Sequence, residues 1–185
     1  MSSSPVALIT AGSAGLGAAT AKLFAASGYR VVINYASNES RAKDVLATLY
    51  SLYSLSRNPI SSNTTICDII RADLSKRTEV ISLVERAVDV MGRLDVVFSN
   101  GGWTALRDFQ NLDDNVNEED WDRCFNMNVK SHLWLMHASK KWLEESEGAF
   151  ITTASLAGVR SSGSSLVSEA LEDGYLGGIL EEGMK

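Results

Sequence analysis

Short apolar runs alternate along this chain with longer stretches in which apolar residues return every three or four positions. Val6–Ile9 and Arg30–Tyr35 are the first two runs, and an Ala-rich amphipathic stretch, Ala18–Ala26, lies between them. Brief β-branched runs predict buried strands, and the helical period between them predicts the connecting helix. Residues 37–56 carry Val45, Leu46, Leu49, Leu52, Tyr53 and Leu55 at helical spacing before a polar loop, 57–65. Ile66–Ala72 is a third predicted strand, and Asp73-Leu74-Ser75 turns the chain into a helix with Val80, Leu83, Val84, Ala87 and Val88 on one face. Gly92 ends that helix and Leu94–Phe98 follows as a fourth strand. After an acidic loop, 108–120, one long helix is expected through Trp121, Phe125, Val129, Leu133, Leu135, Met136 and Trp142, and Ala149–Thr153 is the fifth strand, ending at Ser155.

Strands alternating with helices in this way define an α/β chain with a doubly wound parallel sheet of five strands, because right-handed crossovers place helices on both faces. The rhythm breaks between Ser161 and Glu182, where Ser, Gly and acidic residues dominate and no further strand is evident. A length of 185 residues with 45% hydrophobic content supports one domain with a real core.

The net charge of −6, with no Lys/Arg run, offers no basic field for nucleic acid or an anionic membrane. Cys67 and Cys124 lie far apart without metal or redox spacing and are expected as buried free thiols. His132 and His137 are five apart, on different sides of a helix, so no metal pair is expected. The four tryptophans, Trp103, Trp121, Trp134 and Trp142, read as core or cleft-wall packing. The N-terminus enters a strand without a basic and apolar leader, and no run reaches membrane-spanning length, so a cytoplasmic location is expected. Two sequons, at Asn38 and Asn63, read as ordinary helix-start and loop residues.

The candidate chemistry begins at Thr10-Ala-Gly-Ser-Ala-Gly-Leu-Gly17, between a strand and a helix. Glycines let backbone approach a pyrophosphate, and the free N–H groups and dipole of a helix N-terminus favour its charge. Strand, glycine turn, helix and second strand close a βαβ unit, the context that makes such a turn a nucleotide site. Read singly, Asp73 is a helix cap, Asn128 a satisfied helix polar group and Ser155 a turn residue.

Taken as a series, these motifs resemble the short-chain dehydrogenase/reductase family over roughly residues 6–166. The resemblance implies an incomplete Rossmann-like domain at 1–166. Thr10–Gly17 is similar to that family's Thr-Gly-x-x-x-Gly-x-Gly loop, with Ala11 standing where its first glycine falls. The implied cofactor-binding residues are Thr10, Gly12, Ser13, Gly15, Leu16, Gly17, Tyr35, Ser37, Asp73, Leu74, Asn100, Gly101 and Gly102. Asn128 and Ser155 match the catalytic Asn and Ser. The end of the second strand, Asn34-Tyr-Ala-Ser37, lacks the acidic residue that binds the ribose 2′-OH of NAD, which favours NADP. No Arg stands at Ala14, so Ser37, Asn38 and helix N–H groups are expected to meet the extra phosphate. The implied substrate is a small carbonyl compound or alcohol, and the family tends to form homo-oligomers.

The resemblance also implies a Tyr-x-x-x-Lys pair, in which the Lys lowers the pKa of a proton-donating Tyr. By spacing from Ser155 it belongs at 168 and 172, where this chain has Ser168 and Glu172; Tyr175 has Ile179 four residues on. The change begins at Val167-Ser168, a pair that a splice-donor sequence can encode, so 167–185 is read as an atypical tail of translated intron. Without the family's further strands, the fifth strand is expected to form an edge. The expected function is a ketone/alcohol reductase of this family, truncated and impaired as it stands. A non-catalytic dinucleotide-binding or partner-binding protein is the alternative.

Overall fold

Five parallel strands in the order β3-β2-β1-β4-β5 form the sheet. They are β1 (Val6–Ile9), β2 (Arg30–Tyr35), β3 (Cys67–Arg71), β4 (Val96–Ser99) and β5 (Ala149–Thr152). The computed structural model describes residues 4–56, 64–108, 110–155 and 165. The expectations placed on 166–185, including Ser168, Glu172 and the intron-derived tail, lie outside the described residues.

Burial on both faces explains why the inner strands read as unbroken apolar runs. Along β2, Val32 faces a core cluster with Leu83, Val84 and Leu135, whereas Val31, Ile33 and Tyr35 face a second cluster with Ala21, Ala25 and Leu49. Helices α1 (Gly15–Ala26) and α2 (Glu39–Leu55) thus cover one face, while α3 (Arg77–Met91) and α5 (Ser131–Ser146) cover the other. Gly92 ends α3 in the left-handed conformation at φ 77°, as its place in the sequence anticipates. The β5 strand pairs with β4 alone among the described residues and is half-exposed.

One long helix was expected after the acidic loop, and the structure divides it. Helix α4 (Glu118–Phe125) leads into a widened π turn (Asn126–Lys130) and then α5. The Ser131 N–H reaches back five residues to the Asn126 carbonyl, the mark of one residue inserted into the helical ladder. Asn117 caps α4 by accepting from the Asp120 N–H at 3.1 Å. The preceding loop is ordered by Asn115, which bonds the carbonyls of Asp108 and Asn111 and accepts the Trp121 indole N–H through its own carbonyl. Trp134 and Trp142 pack against the core as read from the sequence.

At the opposite end of the sheet, Arg30 is buried at the start of β2. It donates to the Met91 carbonyl at 2.9 Å and to the Ser4 carbonyl, fastening the last turn of α3 to the N-terminal segment. Burial lowers its pKa from the ordinary arginine value. Replacing Arg30 by Met leaves these buried carbonyls without their donor, and a loss of about 2 kcal/mol in unfolding free energy is expected, read as a lowered denaturant midpoint.

Candidate functional site

From β1 the chain winds outward to β2 and β3, then returns to β4 on the other side of β1. That reversal opens a crevice beyond the C-terminal ends of β1 and β4, the position where such sheets bind ligands. Thr10 and Asn100 stand on its two sides. The buried Thr10 hydroxyl accepts the N–H groups of Asn100 at 2.8 Å and Gly101 at 3.3 Å, and the Thr10 N–H bonds the Phe98 carbonyl at 3.0 Å. The Asn100 amide oxygen accepts the Thr153 hydroxyl at 3.0 Å, which joins β5 to the same frame.

The glycines of the loop have separate tasks. A Cβ on Gly12 would lie 2.6 Å from Cβ of Ile33, and one on Gly17 would lie 2.5 Å from the Ala11 carbonyl oxygen, so both are glycine because the chain packs against itself there. Gly15, by contrast, has φ 51° and nothing within 4 Å of an added Cβ. It lies at the N-terminus of α1, where Ala14 provides no side-chain cap, no acidic residue occupies the first turn and Leu16 is exposed. The first-turn N–H groups therefore face an open, uncapped end beside Ser13. Ala11 holds φ 49°, a left-handed backbone in a residue with a Cβ.

Asn34 holds that loop in place, a role not read from the sequence. Its side-chain oxygen accepts the Ala11 N–H at 3.2 Å, and its amide donates to the Ala72 carbonyl at 3.0 Å and the Ile70 carbonyl at 3.3 Å. A polar residue buried inside an apolar strand is the signal that could have found it. Tyr35 next to it is buried in the core cluster, and Ser37 is exposed just past β2. Asn38 is drawn into capping α2, since its side-chain oxygen accepts the Arg41 N–H at 2.9 Å.

Asp73 is not the cap of α3, whose N-cap position is Lys76 with no side-chain bond; its carboxylate closes the preceding turn by accepting both the N–H and the hydroxyl of Ser75. Burial opposes its ionisation, but the Ser75 bonds and Lys76 outweigh that and hold its pKa below the ordinary value. Leu74 is buried against Gly101, where any Cβ would collide with it.

Asn128 occupies the π turn. Its side-chain oxygen accepts the Trp103 N–H at 2.8 Å and its amide donates to the Trp103 carbonyl at 2.9 Å, a two-way clamp on the loop that follows Gly101 and Gly102. Cys124 lies beneath it, buried, 3.2 Å from the same amide nitrogen. Both cysteines are buried thiols outside any disulfide, and burial raises the Cys67 thiol to about 12. Ser155 is exposed, two residues beyond Thr153 at the same end of the sheet. A contact missed by the sequence reading joins Ser99 to His132, whose Nδ1 lies 2.6 Å from the serine hydroxyl in the interior. No group of three or more metal-ligating side chains is found among the described residues, and no described helix is long and apolar enough to cross a membrane.

An α/β sheet with an open glycine turn at its switch point defines a dinucleotide-binding type of domain. Residues 5–167 match the family model for short chain dehydrogenases. The chain belongs to that family. It is 31% identical over 140 residues to a short-chain dehydrogenase/reductase of Pestalotiopsis microspora, covering 76% of this chain and 47% of that protein. Among solved structures it is similar to a short chain dehydrogenase from Burkholderia cenocepacia in complex with NADP, with TM-score 0.81, 28% identity, and coverage of 96% of this chain and 66% of the other. It is also similar to the NADH-dependent reductase A1-R′ complexed with NAD, with TM-score 0.78, 26% identity, and coverage of 92% and 68%. The chain spans about half the length of the curated relatives it matches.

Two outcomes follow from this geometry. Ala11→Gly removes the left-handed alanine and is expected to stabilise by about 1 kcal/mol, a melting shift of roughly 2–4 °C by calorimetry. Burial lowers the His132 pKa below its ordinary 6.5, so the unfolded state binds the proton first as the pH falls. Stability is therefore full above about pH 6.5 and declines below it until the folded-state pKa is passed. Denaturant midpoints taken from pH 7.5 to 5 are expected to fall for the wild type and to flatten across this window in His132→Gln.

Proposed function

We propose that the crevice above Thr10 and Asn100 binds NADP(H), and that the chain carries the cofactor-binding half of a ketone/alcohol reductase while performing no turnover by itself. The observation that carries the reading is the uncapped, acid-free N-terminus of α1 facing open space at Gly15. The residues fit the cofactor. The first-turn N–H groups of Gly15, Leu16 and Gly17 would hold the pyrophosphate, with Ser13 beside them. Ser37 would face the adenosine ribose, and Asp73 and Leu74 would border the adenine. Gly101 lets Leu74 pack directly against the backbone at the end of β4, and the exposed Gly102 beside it would lie toward the nicotinamide. When bound, the nicotinamide supplies or accepts the hydride. Absence of an acidic side chain across Asn34–Ser37 supports NADP over NAD.

Ser155 is proposed to hydrogen-bond the substrate oxygen. Asn128 positions the neighbouring loop, because both ends of its amide are engaged with Trp103. The proton-transfer pair is the part that fails. No Tyr-x-x-x-Lys occurs anywhere in the 185 residues, and the expected positions hold Ser168 and Glu172. A serine hydroxyl is a poor acid near neutrality, and a carboxylate in place of the lysine raises the pKa of a neighbouring acid. These substitutions favour a second reading as well, a dinucleotide-binding partner of an active relative.

Saturating NADPH at about a hundred times its Kd is expected to stabilise the chain by about 2.7 kcal/mol, read as a melting shift of several degrees. NADPH oxidation with a panel of ketones is expected to match the protein-free rate. Turnover above that rate refutes the assignment of the missing acid, and a melting curve unmoved by both NADPH and NADH refutes the cofactor site. A partner role predicts that adding the chain to an active relative changes that enzyme's rate.

A further inference from the structure

Arg71 ends β3 directly opposite Tyr35 of β2. Its Nε donates to the carbonyl of Ala36 at 3.1 Å, across thirty-five positions of sequence. That bond lays the guanidinium against the segment that follows β2, and its two terminal amino groups make no other hydrogen bond among the described residues. The neighbouring charges are already engaged. Glu39, in the first turn of α2, is paired with Lys43 at 2.7 Å and is also held ionised, to a lesser degree, by the charge of Arg71, and the Asn38 oxygen is committed to the Arg41 N–H. The exposed Ser37 hydroxyl remains as a neutral donor on the same segment.

We propose that Arg71 selects the phosphorylated cofactor by binding the 2′-phosphate of the adenosine ribose, with Ser37 as its neutral partner. The proposal rests on the reading of the crevice as a dinucleotide site and adds the cation that the glycine loop lacks. In dinucleotide folds the ribose 2′ position lies at the end of the second strand, where an acidic residue would repel a phosphate and an arginine accommodates it. Here the segment carries no acid, and the arginine arrives from the adjacent strand. A guanidinium presents paired donors that match two phosphate oxygens, and tethering through Nε reduces the freedom it loses on binding. A ribose 2′-OH offers no charge to the same group, so Arg71 contributes to one cofactor and is indifferent to the other.

The experiment is a fluorescence titration of the wild type, Arg71→Ala and Arg41→Ala with NADPH and with NADH, repeated with 2′,5′-ADP and 5′-AMP as fragments. Arg71→Ala is expected to weaken NADPH and 2′,5′-ADP at least tenfold while NADH and 5′-AMP stay within twofold, and Arg41→Ala is expected to leave all four close to wild type. Equal weakening of NADPH and NADH, unchanged NADPH binding, or a selective loss in Arg41→Ala in place of Arg71→Ala overturns the role of Arg71 alone. A wild type that binds neither dinucleotide overturns the reading of the crevice, and this inference with it.

Discussion

Parallel strands buried on both faces end in backbone groups that water cannot reach, and the structure depends on how those groups are satisfied. A net backbone hydrogen bond contributes about 1 kcal/mol, whereas leaving a buried group unpaired costs about 1–3 kcal/mol. Thr10 meets this constraint between β1 and β4 by accepting the N–H groups of Asn100 and Gly101 on its hydroxyl. Asn34 meets it on the other side by binding Ala11, Ile70 and Ala72 at once. The spacing of the crevice is therefore set by two short polar side chains in the sheet. The loops above it follow from where those side chains fix their first residues.

Fixing the loop has a cost that the chain accepts at Ala11. The bonds from the Ala11 N–H to the Asn34 side chain and from the Gly12 N–H to the Asn34 carbonyl, at 2.9 Å, hold the turn while φ of Ala11 stays positive. Gly12 cannot share that burden freely, since it is pressed against Ile33, and Gly17 is pressed against Ala11 itself. Strain and close packing thus gather on the inner side of the loop. Its outer side, at Gly15 and the start of α1, is the part left open.

How much of this was legible depends on the range of the interactions involved. The strands and three of the helices were legible because burial on both faces, or on one stripe, writes itself into local apolar spacing. The π turn was not. Phe125, Val129 and Leu133 keep a spacing of four through it, and no Gly or Pro marks the inserted residue. Thr10, Asn100, Asn128 and Ser155 stand out as candidates only as an ordered series, since each alone has an ordinary structural use. The Asn128 clamp on Trp103 joins that ordinary use to the site. Asn34 and the Ser99–His132 contact escaped because their partners lie more than twenty residues away and carry no local signature. The same holds for Arg30, whose charge reads as a strand boundary until α3 is seen to end over it.

A chain of net charge −6 with a proposed site for an anionic cofactor poses an electrostatic question that local pairing answers. Beyond about 8 Å at physiological ionic strength, exposed charges are largely screened, so only those at the crevice matter. The acidic groups there are committed: Asp73 to Ser75, Glu79 to the Asp73 N–H and to Lys76, and Glu39 to Lys43. The bonds to the Asp73 N–H and to Lys76 hold Glu79 below its ordinary pKa, so it stays ionised and paired. The first turn of α1 is free of acids, which leaves the positive end of that helix uncapped, and Arg71 adds a cation that Glu39 offsets in part. The overall acidity governs solubility and distant encounters, while the field at the crevice is set within one Debye length by the groups that the sheet brings together.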